Sequence, residues 1–253
     1  MTASVHSVTQ NGRFEPFDLQ VARGQVYGHS TVNIYGANGA FTGNTYYPVW
    51  ENVAAYAYPS SAVVMTVASA AGATDAGVKV QVQGLDANYA ILNETVTLNA
   101  SGTVNTTGSF LRINNLIITS GNATGVVTAK NGGTTYAQIT AGNGRSQMSI
   151  YTVPAGYTFY LQRINAYTSL NGFTADYAVY RNYNISSTGV ISQTQQAPFT
   201  NSYEARRVMP RAFAEKTDIQ LQIKGSAVGT SQFVNISAEG YLIQADVLTN
   251  VTP

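Results

Sequence analysis

The sequence has no cysteine, one tryptophan, two histidines and few charges among its 253 residues. Without cysteine there is no disulfide framework, no thiolate metal site and no cysteine nucleophile. A chain of this length buries an adequate core without cross-links. Charged residues make up 10%, against roughly a quarter in soluble domains, which excludes an acidic or solvating disordered chain. The net charge of +1 creates no global field toward nucleic acid or an anionic surface, so neither direct nucleic-acid binding nor a membrane partner is expected. No apolar run approaches the roughly 18–20 residues needed to span a bilayer. The first twenty residues, MTASVHSVTQNGRFEPFDLQ, lack the basic start and apolar stretch of a signal peptide, so the expectation is a product folded in a cytoplasm without export.

Thr, Asn, Ser, Gln and Gly supply the polar surface, together with 17 tyrosines. Thr and Tyr suit pleated, half-buried strands, whereas Asn and Gly suit turns that need positive φ. The composition is that of an all-β protein. Residues 62–68 (AVVMTVA) are apolar on both faces and predict a central strand. VKVQVQ (78–83) alternates strictly, with Val78, Val80 and Val82 on one side. Further strands are predicted at 91–99, 110–118, 126–129, 147–153, 157–167, 176–183, 218–224 and 241–248. In DIQLQIK (218–224) the clean alternation predicts a strand with one wet face. Turn chemistry separates these runs. No window carries a convincing helical stripe; EARRVMPRAFAE (204–215) comes nearest, and Pro210 breaks it.

The expected fold class is all-β: two antiparallel β-sandwich, jelly-roll-like domains in tandem, preceded by an extended N-terminal arm. The arm covers residues 1–13, the first domain 14–132 and the second 133–253. The boundary is placed at KNGGTT (130–135). QVARG (20–24) resembles QITAG (138–142), a short echo that would suit two related halves.

Chemistry is hard to find. Catalytic zinc needs three protein ligands or more, and His6 and His29 stand apart without HExxH. No serine sits in GxSxG. The scattered carboxylates Glu51, Asp75, Asp86, Glu94, Asp176, Glu204 and Asp218 form no motif for glycoside hydrolysis, which needs a facing pair. Asp86 and Asn88 lack the remaining oxygens of a calcium loop and read instead as turn residues bonded to backbone amides. Phosphate-loop patterns are absent. The reading is a non-enzymatic chain with no catalytic, cofactor or metal site. Glu94 falls on the inward side of its strand with Leu92, Val96 and Leu98, so it is expected either to be flipped outward by a bulge or to be partly buried against Arg112.

The runs FDLQVARGQVYGHSTVNIYG (17–36), YAYPSSAVVMTVAS (56–69), GLDANYAILNETVTLN (84–99) and FLRINNLIITSG (110–121) resemble virion structural proteins of tailed bacteriophages, including cyanophages. TYAQITAGNGRSQMSIYTVPAGYTFYLQRI (135–164) resembles a phage module built around a YTVPAG turn. The resemblance spreads over both halves, is less distinct beyond Leu170, and brings no catalytic residues with it. It implies a virion component assembled in the host cytoplasm, most specifically a capsid cement or decoration protein. Such a protein would be a homotrimer on the outer head surface, contacting the major capsid protein or other virion proteins. A tail, neck or baseplate adaptor and a carbohydrate-binding host-recognition module are the alternatives. Expected contact residues are Arg13, Phe14 and Phe17 near the arm, Tyr46, Tyr47 and Trp50, and the basic group Arg206, Arg207 and Arg211. The aromatic members also suit an ordinary strand or core role.

Overall fold

The computed structural model describes residues 9–10, 13–42, 46–52, 55–181, 192–193, 197–225 and 232–249. In chain order the elements are β1 (Thr9–Gln10), β2 (Arg13–Phe14), α1 (Phe17–Ala22), β3 (His29–Phe41), β4 (Tyr47–Pro48), β5 (Val63–Ser69), β6 (Lys79–Leu85), β7 (Ile91–Thr97) and β8 (Thr103–Phe110). They continue with β9 (Arg112–Ser120), β10 (Val127–Asn131), β11 (Thr134–Ile139), β12 (Ile150–Thr152), β13 (Tyr157–Arg181), β14 (Ser192–Gln193), β15 (Ala197–Phe213), β16 (Asp218–Gly225), β17 (Gln232–Gln244) and α2 (Ala245–Thr249). The fold is all-β, and the strand pairs are antiparallel.

Two hydrophobic cores organise these strands. In the first, the sheet β11-β10-β5-β8 faces the sheet β7-β6-β9. Met65, Val67, Val127 and Ala129 from one meet Val80, Val82, Ile113 and Leu116 from the other. The alternation that puts Val80 and Val82 inside is the period-2 geometry of a strand. Within its sheet β5 is central, paired with β10 and β8, and buries Met65 and Val67 while Val64 on its other face is exposed.

The second core lies within the eight-stranded sheet. Its spine is the 25-residue β13, which pairs with β17 along its first half, with β16 along its second, and with β15 on its other edge. Phe159, Leu161, Phe213, Ile219, Leu221, Ile223, Val234 and Ile236 fill it. β3 joins this sheet through β17, although it lies more than a hundred residues earlier in sequence.

The two cores therefore do not correspond to the two halves of the sequence. The boundary expected at 132/133 falls at the tip of the β10–β11 hairpin, inside one continuous sheet. Gly and Asn there mark a tight turn, with Gly132 at φ 55°, rather than a linker. Chain segments near 34–49 and 153–242 build the second core, and the intervening stretch from Trp50 to Ile150 builds the first. The echo between 20–24 and 138–142 does not mark a structural repeat, because the first copy ends helix α1 and the second ends strand β11.

Other expectations shift at the ends. Residues 9–10 of the arm pair with residues 13–14 as a small hairpin, while residues 1–8 and 11–12 lie outside the described set. The strand expected over 241–248 stops at Gln244 and becomes α2. Residues 204–213 continue as strand, with Pro210 accommodated in a bulge, and 214–215 leave it in a turn.

Strand β16 corrects the expectation of one wet face. Ile219, Leu221 and Ile223 point into the second core, but Asp218, Gln220 and Gln222 on the opposite face are buried too. Gln222 donates to Gln220 at 3.1 Å, and Gln220 donates to the Tyr58 hydroxyl at 3.3 Å. The polar row is a seam against the first core: alternation reports polarity, and here hydrogen-bonding partners replace water. Ser149 closes the same seam, receiving the Val49 amide at 2.8 Å and donating to the Leu221 carbonyl at 2.7 Å.

Candidate interaction surface

Any glycoside-hydrolysing site would need a free pair of carboxylates. Every acidic side chain that is described is tied to a structural partner; that of Asp176 lies outside the described set. Asp86 accepts the amides of Asn88 and Ala90 at 2.8 and 2.9 Å, the turn expected from the sequence. Glu94 accepts the amides of Thr107 and Gly108 at 2.7 and 2.8 Å. It keeps its place in an unbroken β6–β7 register and does not meet Arg112, so both expected arrangements for Glu94 are corrected. A carboxylate accepting two backbone amides needs no counter-ion nearby.

Glu51 accepts the amides of Thr140 and Gln147, and burial pushes its pKa up against those bonds. Asp75 is fully buried and accepts from Ser69, Thr124 and Gly125. Glu215 accepts the Gly156 amide at 2.6 Å, Asp18 accepts from the Tyr241 hydroxyl, and Tyr27 donates to Asp246 at 3.3 Å. Glu15 pairs with Arg23, and Glu204 and Glu239 flank Arg163. Asp218 is held by Arg112 and by the Thr152 hydroxyl at 2.7 Å. Among the described residues no three His, Asp or Glu side chains come close enough to hold a metal ion. No helix among them is long and apolar enough to cross a membrane.

The expected contact residues scatter. Arg13 and Phe14 form β2, where only the backbone is described. Phe17 on α1 is 43% exposed and packs edge-on against His29 and Tyr241. Tyr46 is half-buried beneath the Lys224 ammonium, 5.8 Å from its ring. Tyr47 packs on the second core. Trp50 is buried in the first core, edge-on to Tyr56. Its indole is therefore a core element, which removes it as a contact residue and as a stacking platform for a sugar.

The basic group is different, because β15 brings it to an edge. Among the described residues β15 pairs with β13 alone. The register runs Arg211 opposite Leu161 and then Arg206 opposite Arg163. Gln162 thus faces the whole Arg207-Val208-Met209-Pro210 segment, which is extruded as a long bulge. Val208 is fully exposed and Met209 is 83% exposed. Arg206 on the exposed side and half-buried Arg207 and Arg211 flank them, with the Arg211 guanidinium 5.5 Å from the Phe213 ring. Pro210 lacks an amide, and the bulge twists the strand away from simple edge pairing. Charge, proline and bulge together protect an edge strand from indiscriminate pairing. The exposed Val-Met pair at the tip goes against that protection and marks a contact point.

No family model matches the chain, and no curated protein matches it. Among solved structures, the chain is similar to a VP2 subviral particle of infectious bursal disease virus, at 10% identity over 89% of this chain and 74% of that one, with a TM-score of 0.24. A structure of the Gx strain of the same virus gives 12% identity over 95% and 79%, with a TM-score of 0.25. Derived T=1 particles of that virus give 9% over 86% and 70%, with a TM-score of 0.26. Scores this low fall short of a shared topology and carry no function to this chain.

Proposed function

We propose that this chain is a non-enzymatic virion structural protein, a cement or decoration protein that binds the outer head surface and bridges neighbouring capsid subunits. The observation that carries the reading is the β15 edge: a basic, proline-containing bulge that holds Val208 and Met209 out in solvent. An apolar tip ringed by arginines suits insertion into a partner surface, where Arg and Met are enriched at contacts. The resemblance of five sequence runs to virion structural proteins of tailed bacteriophages supplies the context. The commitment of the described carboxylates to amides, hydroxyls and ion pairs supports a structural rather than a hydrolytic role.

In this reading many copies each bury a modest area across capsomer joints, and the shell gains resistance additively. Self-association as a trimer and contact with the major capsid protein belong to the same proposal. The test is quantification of the protein in purified particles, with heat and osmotic challenge of particles lacking it. A copy number on the scale of the head lattice and weakened heads are expected. A few copies per particle would make it a tail or neck component, and heads of unchanged resistance would exclude a cement role.

A further inference from the structure

Where the three-stranded sheet β7-β6-β9 meets the edge of the larger sheet, two neighbouring crevices of about 210 and 190 Å³ share Gln83, Asn114 and Tyr151 as lining residues. Gln83 of β6 stands in register with Asn93 of β7 on one side and Asn115 of β9 on the other. The result is a row of three carboxamides across three strands. One end of the groove is completed by Asn33 and Tyr35 of β3, the other by Ile91, which is 51% exposed.

We propose that this groove binds a neutral oligosaccharide. Each carboxamide offers donors and acceptors together, which matches sugar hydroxyls, themselves both donors and acceptors. The lining includes no carboxylate to attract a cation, and its one charge is the exposed Arg145 at one side. Tyr35 and Tyr151 supply aromatic surface for the apolar face of a sugar ring, with a hydroxyl at the edge. Two joined crevices accommodate more than a single ring.

Part of the amide set is already committed to the fold. A bulge in β9 turns Asn114 to bond both the amide and the carbonyl of Thr152, at 2.9 and 3.0 Å. Ser146 donates to Asn115 at 2.7 Å, and Gln83 donates to Gln81 at 2.8 Å. These bonds hold the row rigid, the preorganisation that a sugar site needs. The groups left to a ligand are Asn33 and Asn93, both exposed, and the hydroxyls of Tyr35 and Tyr151, both rings half-buried. None of these four side chains hydrogen-bonds to another described residue. Burial raises the pKa of the Tyr151 hydroxyl, so it is a neutral donor throughout the physiological range.

The experiment is binding of the full chain to an array carrying neutral oligosaccharides beside purified bacterial surface polysaccharides, followed by titration of the best hit. Asn93→Ala and Tyr151→Phe are the variants, since one lies on the surface and the other loses a single oxygen. Expected is a neutral glycan whose affinity falls about tenfold in each variant, the loss of roughly one hydrogen bond, at unchanged melting temperature. A hit among the polysaccharides alone would place the ligand on a cell surface; a hit with free oligosaccharides would place it in solution. Absence of any neutral hit at millimolar ligand, or binding unchanged in both variants, overturns the proposal. So does binding confined to acidic glycans and lost on Arg145→Ala. The copy-number measurement is independent of all these outcomes.

Discussion

Arg112 and Asp218 form a two-pronged ion pair, Nε to Oδ1 at 2.8 Å and the second guanidinium nitrogen to Oδ2 at 2.9 Å, across 106 residues of chain. Both side chains are 1% exposed. Arg112 also donates to the carbonyls of Pro59 and Leu111 and lies 4.7 Å from the Tyr58 ring. The pair joins β9 of the first core to β16 of the second, so it orients the two cores. Removing one partner strands a buried charge, at a cost of about 3–5 kcal/mol. Arg112→Met and Asp218→Asn are each expected to lower the urea midpoint by a corresponding amount. The double variant should recover part of the loss, and strictly additive losses would show that the two groups do not depend on each other.

Asp75 makes a second buried tie, this one pH-dependent. Burial pushes its pKa up, but hydrogen bonds from the Ser69 hydroxyl, the Thr124 and Gly125 amides and the Thr124 hydroxyl outweigh that and bring it down to about 2. A folded pKa below the unfolded value means stability that is full above the unfolded value, near 3.9, and lost as pH falls toward 2. Asp75→Asn should cost about 1–3 kcal/mol at neutral pH through mismatched donors. It should also flatten the pH dependence of stability between about pH 4 and 2. A variant that keeps the parent's acid slope would rule out Asp75 as its source. Thermal melts at stepped pH read this directly.

Close backbone approach fixes Gly84 and Gly36 as glycines. A Cβ on Gly84 would strike the Arg112 carbonyl, and one on Gly36 would strike the Val49 carbonyl and Ser149. Gly39, on the same strand as Gly36, has open space around it. Gly84→Ala and Gly36→Ala should each cost about 1–3 kcal/mol or more, since backbone rather than a flexible side chain must move. Gly39→Ala should be nearly silent. Equal effects at all three positions would point to strand propensity instead of contact.

How much of this was readable beforehand depended on range. Val80, Val82, Ile219 and Leu221 declared their strands by alternation, and Asp86 declared its turn, because both signals are local. Glu94 was placed correctly on the inward face, but its partners are amides of β8, a strand that sequence spacing does not bring beside it. Arg112 drew notice only as a partner for Glu94. Its true partner, Asp218, lies in a strand whose buried polar face looks the same in sequence as a wet one. The 132/133 boundary failed for a related reason: a Gly-rich hairpin and a linker share a composition. Helix α1 was missed because six residues are too few for a periodic stripe. The amide row, Asn93-Gln83-Asn115, exists only once the register is known.

The bulge on β15 was half visible, as a basic cluster broken by Pro210, and its geometry makes it the sharpest test of assembly. Val208 and Met209 touch little of their own chain, so Val208→Asp and Met209→Asp should shift the melting temperature negligibly, as surface changes usually do. A docked apolar tip behaves differently. Burying a new carboxylate in the partner's pocket should reduce incorporation into particles by about tenfold or more, the effect of losing a contact worth at least 1.4 kcal/mol. Neutralising Arg206, which is exposed beside the tip, should instead weaken the salt dependence of association, because rim charges act mainly on encounter. Co-sedimentation of each variant with particles lacking the protein measures both effects. If the aspartate variants incorporate at the parent's level, the bulge is an edge guard alone, and the contact surface lies elsewhere on the molecule.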